Sequence, residues 1–159
     1  MFRELTRKNK QLYREDCIRI LKEEKRGVLS VNGDDGYPYG SPMNHFYNSE
    51  DGNIYFHCGK QQGHRLDALA KDSKVCFCVT DSGTKEDGDW ALTFNSVIVF
   101  GKVKIIDDEK KVENISAKLC RKFTQDEKYI KEEIDKHLKN TLLLQLSPEH
   151  ICGKKVVES

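Results

Sequence analysis

The sequence predicts a mainly β protein, a mostly antiparallel barrel with helices on its periphery. Short β-branched and aromatic runs recur along the chain, separated by turns rich in glycine and aspartate, while helical periodicity is confined to four stretches. The 159 residues match one domain, which is expected to span 1–159, and a chain of that size can bury a substantial core.

The elements follow in order. Tyr13, Cys17, Ile18 and Leu21 recur at helical spacing between Tyr13 and Lys25, and Gly27 stands where a left-handed residue could end that helix. Gly27–Gly33 and Tyr37–Tyr47 read as two strands joined by a hairpin at Gly33–Gly36. Pro38 and Pro42 lack an N–H, so the second of these is expected at an edge, bulged or incompletely paired. Asn53–Cys58 reads as a strand, Gly59–Gly63 as a loop, and His64–Lys71 as a short helix. Lys74–Thr80 is a further strand, 81–89 an acidic surface loop, and 91–106 a long strand or a pair of strands bending at Gly101. Val112, Ile115, Leu119 and Phe123 mark one helix face, and Ile130, Ile134 and Leu138 another. Two final strands, Asn140–Leu146 and Glu149–Lys154, close the chain.

Bulk properties narrow the function. The 27 basic and 26 acidic residues leave a formal charge of +1, so no general positive field favours nucleic acid. No apolar run approaches the ~18 residues of a membrane span, and no apolar segment follows the basic N-terminus. A cytoplasmic protein without a membrane partner is the expectation. Six cysteines form no C-x-x-C pair and read as thiols in a reducing compartment, with Cys58 singled out by its neighbours.

One stretch is chemically informative. In 54–69 a strand ends in a loop holding Lys60, and His64 and Arg65 stand where a helix begins. Cationic side chains and the free N–H groups of a helix start suit a phosphorylated ligand, although the spacing also fits a solvated basic loop. His45, His57, His64 and Cys58 could suggest zinc, but adjacent His57 and Cys58 face opposite ways on a strand and no second ligand pair completes a site, so no metal is expected. The chain lacks a G-x-S-x-G elbow, a Walker-type loop and a strand-following G-x-G-x-x-G.

The succession Gly27-Val-Leu-Ser-Val, Gly36-Tyr-Pro-Tyr-Gly-Ser-Pro, Ile54-Tyr-Phe-His-Cys-Gly with Gly63-His-Arg, and Phe94-Asn-Ser-Val-Ile-Val-Phe-Gly resembles the pyridoxamine 5′-phosphate oxidase-like FMN-binding split β-barrels. Within them it is most similar to the nitroimidazole-resistance (Nim) proteins, and the likeness runs from the N-terminal helix to Lys154. The resemblance implies a homodimer with two shared flavin sites. It implies that the backbone of Gly40, Ser41, Pro42, Met43, Asn44 and His45 passes along the isoalloxazine ring, and that His57, Cys58 and Gly59 approach it from the next strand. His64 and Arg65, where the wider family has Arg and Lys, would hold the FMN phosphate, with Lys60 a third donor and Ser96 coming from the other subunit.

In Nim proteins a histidine at the position of His57 lies by the flavin and is implicated in nitro reduction. Strand alternation turns Ile54, Phe56 and Cys58 towards the core and His57 to the other face, where an ordinary imidazole, with pKa near ~6.5, could supply protons. The segment Ser96-Val-Ile-Val-Phe-Gly lacks the Gln and Arg of true pyridoxamine 5′-phosphate oxidases, and no C-terminal Arg-x-His follows, so oxidation of a B6 vitamer is not expected. The expected function is FMN-dependent reduction of a nitroaromatic or similar small acceptor. The alternatives are a non-enzymatic flavin carrier or redox sensor, and a haem-binding split barrel.

Overall fold

The computed structural model describes residues 1–158. Its elements are α1 (Arg14–Glu23), β1 (Arg26–Asn32), β2 (Pro38–Asn44), β3 (Phe46–Tyr47), β4 (Ile54–Gly59), α2 (His64–Lys71), β5 (Lys74–Thr80), β6 (Thr84–Lys85), β7 (Leu92–Ile106), α3 (Glu109–Cys120), α4 (Glu127–His137) and β8 (Thr141–Val157). No helix among the described residues is long and apolar enough to cross a membrane.

The strands form one antiparallel sheet in the order β2-β1-β5-β7-β8-β4-β3, with β6 on β7. The edge strands β2 and β3 stand at opposite ends of that order, yet only His45 separates them along the chain. The sheet must therefore curl until its two edges approach, which produces the expected split barrel. Pro38 and Pro42 lie on the edge strand β2, where a missing N–H costs least.

Period-two burial fills the barrel. Leu29, Val31, Ile54, Phe56, Phe77, Val79, Val97, Val99, Leu144 and Leu146 are buried together with Ile20 and Leu21 of α1 and Leu69 of α2. Ile54 and Phe56 thus occupy the core as alternation predicts. Their neighbour Tyr55, on the other face, enters a second core with Ile106, Leu143 and the α3 residues Val112 and Ile115.

Four expectations need correction. Gly27 does not end α1; it lies within β1, where a Cβ would collide with the Cys78 carbonyl, so close strand approach selects glycine there. The strand expected over 37–47 is broken at His45, since β2 and β3 pair at opposite edges. The two expected C-terminal strands are one, β8, which follows β7 past a bulge between Phe100 and Gly101, and there a Cβ would collide with the Ser147 carbonyl. The loop over 81–89 contains the short strand β6, paired with Leu92 and Thr93.

Candidate functional site

The loop after β4 and the start of α2 form an open cleft of about 590 Å³, lined by Tyr39, Cys58, Gly59, Lys60, His64 and Arg65 among others. Gly63 precedes α2 in extended conformation and no side chain caps the helix, so its first N–H groups remain available. Arg65 is held from β2: its Nη1 donates to Ser41 Oγ at 3.0 Å and lies 3.0 Å from Met43 Sδ. Its Nε is buried and has no partner among the described residues. A guanidinium fixed at one end with a free donor at the other, beside an uncapped helix start, fits an anionic group.

His64 is placed differently from Arg65. Its ring lies against Tyr39, with centroids 4.2 Å apart, and its Nε2 accepts the Asp34 N–H at 3.3 Å. That leaves Nδ1 as its only free nitrogen for a ligand. Lys60 is exposed in the loop, with its N–H bound to the Asn140 carbonyl at 3.0 Å.

A second cavity, about 450 Å³, adjoins the first at Cys58, Gly59 and Asn140. It lies between the end of β4 and the α3–α4 pair, and His57 lines it while Cys58 packs against the barrel core. Desolvation by the surrounding side chains pushes the His57 imidazole below its ordinary value although the residue keeps solvent access, so the unperturbed pKa expected from the sequence is corrected downwards. Burial also raises the Cys58 and Cys120 thiols, which therefore stay protonated.

The remaining expected residues divide by face. Ser41 and Met43 point to α2 through Arg65, whereas Gly40, Pro42 and Asn44 pair with Ser30, Val28 and Arg26 and occupy the opposite face of β2. His45 is not brought into either cavity. It is fully buried, with Nε2 bonded to the Leu21 carbonyl at 2.8 Å, and burial beside Lys122 lowers its pKa to about 3. Ser96 lies between Thr80 and Lys154 in the sheet and lines neither cavity.

Sequence reasoning missed Tyr39, Asn140, Ser116, Cys120, Glu133 and His137, all of which line one or other cavity. A signal existed for four of them: Ser116 and Cys120, and Glu133 and His137, are spaced by four and so share helix faces.

The protein-family model described as pyridoxamine 5′-phosphate oxidase matches residues 13–155. The chain belongs to the pyridoxamine 5′-phosphate oxidase family. No curated protein matches the sequence. Among solved structures it is similar to a candidate 5-nitroimidazole antibiotic resistance protein of Bacteroides thetaiotaomicron, with 19% identity, TM-score 0.77, and 93% of this chain and 87% of that one covered. It is similar also to an FAD-binding protein of Mesorhizobium loti (18% identity, TM-score 0.65, 92% and 96% covered). An FAD- and haem-binding protein of Mycobacterium smegmatis matches at 22% identity and TM-score 0.70, over 91% of this chain and 72% of that one. At these identities the likeness establishes the fold of this pyridoxamine 5′-phosphate oxidase family member.

Proposed function

We propose that this chain binds FMN and works as a flavin-dependent reductase of small acceptors, nitroaromatic compounds among them, with two sites shared across a homodimer. The observation that carries the reading is the buried, unpartnered Nε of Arg65 beside the uncapped start of α2. Arg65, Lys60 and the first N–H groups of α2 would hold the phosphate, with Nδ1 of His64 as a further contact. The solved relatives that bind FAD, and the one linked to 5-nitroimidazole resistance, support a flavin and a nitro acceptor on this framework.

When bound, FMN supplies reversible electron transfer. The chain's own contribution is to fix the phosphate at α2 and to keep His57 at the wall of the adjoining cavity, where its ring nitrogen can pass a proton to an acceptor. Cys58 borders the same cavity, but it packs against the barrel core and desolvation makes its thiol a weaker acid.

Flavin fluorescence titration with FMN, riboflavin and FAD tests the phosphate assignment. Arg65→Ala is expected to weaken FMN by roughly tenfold to a hundredfold, the effect of losing one charge-assisted contact, and to leave riboflavin unchanged. Equal FMN affinity in both proteins overturns the assignment. Flavin binding without reoxidation by any nitro compound would favour the carrier, and a Soret band in the purified protein would favour haem.

A further inference from the structure

We propose that the cavity between β4 and the α3–α4 pair binds a small uncharged ring compound, with the Ser116 hydroxyl as its hydrogen-bonding handle and His57 on the facing wall. Ser116 lies in the middle of α3 and is 6% exposed, and its Oγ has no hydrogen-bond partner among the described residues. A serine at such a position usually returns its hydroxyl to a carbonyl of the preceding turn, and native interiors rarely leave a buried hydroxyl unpaired. Here the residue lines a cavity, one helical turn before Cys120, which lines it too. The rest of the buried face of α3, at Val112, Ile115 and Leu119, packs into apolar surroundings and offers the hydroxyl nothing.

The walls select against negative charge. His57, Ser116, Cys120, Ile134, Leu138 and Thr141 line the cavity, and no lysine or arginine does. Its acidic residue is Glu133, whose Oε2 lies 3.5 Å from His137 Nε2. Desolvation raises both thiols and lowers the His57 imidazole, which disfavours the charged form of each. The cationic cleft next door, with Lys60 and Arg65, has the opposite preference, and the two spaces meet at Gly59 and Asn140. A volume of about 450 Å³ suits a compound of one or two rings. The role of this compound as electron acceptor rests on the flavin reading above; its binding does not.

Saturation-transfer NMR without added flavin tests the site, using 4-nitrobenzyl alcohol as the uncharged probe and 4-nitrobenzoate as its anionic counterpart. The alcohol is expected to bind at least about tenfold more tightly than the benzoate. Ser116→Ala is expected to weaken it by roughly tenfold, the loss of one buried hydrogen bond. Cys120→Phe, its fold checked by circular dichroism, is expected to abolish binding by filling the space, and to leave FMN affinity at its wild-type value. Equal binding of the two probes, or an unchanged affinity for the alcohol in Ser116→Ala, overturns the proposal even if Cys120→Phe fails to fold. Absence of FMN binding together with retained, Ser116-dependent probe binding would overturn the flavin reading and leave this site standing.

Discussion

His57 shows how one side chain's chemistry depends on the walls around it. In solution its imidazole would be partly charged near neutrality, but the cavity wall depresses its pKa and makes it a weaker base. If it passes the proton, single-turnover reoxidation of the reduced protein by a nitroimidazole should accelerate as pH falls below about 6.5, the unperturbed value. His57→Ala is expected to lose this limb and to slow the reaction by about 10² or more, with FMN affinity kept, while His137→Ala keeps the limb. Parallel pH profiles in wild type and His57→Ala would remove His57 from the chemistry. Alternation with Ile54, Phe56 and Cys58 put His57 on the face away from the barrel core, and that is the face it takes in the fold. It could not supply the pKa, because the desolvating walls come from α3 and α4, more than fifty residues later in the chain.

At the scale of elements, the barrel seam is fastened by two side chains from distant segments. Helix α1 ends at Glu23 without a left-handed glycine, and the orphan Leu21 carbonyl is taken by His45 Nε2. Lys122, just after α3, donates to the Glu24 carbonyl at 2.6 Å and to the His45 carbonyl at 2.7 Å, and burial lowers its pKa to about 8. Lys122→Met keeps the stem but abandons two carbonyls, each costing about 1–3 kcal/mol. The thermal midpoint should drop by roughly 5–10 °C, whereas Lys118→Met, which loses only a 3.5 Å pair with exposed Glu50, should move it little. His45 adds a pH dependence. Its folded pKa lies below the unfolded value, so its contribution is fully present above about pH 6.5 and is lost as pH falls towards about 3. Urea melts between pH 7 and pH 4 that show no decline in stability would contradict this.

For the whole molecule, the outer face of the sheet supports the proposed dimer. Registered across β2, β1, β5, β7 and β8 run two rows, Pro42-Val28-Cys78-Ile98-Cys152 and Gly40-Ser30-Cys76-Phe100-His150. Val28 is 42% exposed there and Ile98 is half-buried, while Phe2 stacks on Phe100 and His150 at 5.5 and 5.0 Å, so the exposed apolar patch centres on Val28 and Ile98. Ser96 continues that face, so packing two copies on it would bury Ser96 against the partner. Light scattering should give a dimer for the wild type, and Ile98→Lys should yield monomers that bind FMN more weakly. A wild-type monomer with tight FMN binding would remove the shared site.

What the sequence determined was local in origin. Alternation set the inward faces of the strands, the prolines sent β2 to an edge, Gly101 marked the bend, and helical spacing located four helices. Lys60 and Arg65 were legible as a candidate anion site because they stand within one loop and helix start. The tertiary structure alone decided that His45 caps a helix 24 residues away, that Arg65 is aimed by Ser41 and Met43, and that Ser116 is left unpaired at a cavity. Backbone propensity and periodicity depend on neighbours within a few residues, whereas these contacts depend on how the curled sheet and the α3–α4 pair close over one another. No spacing rule encodes that closure.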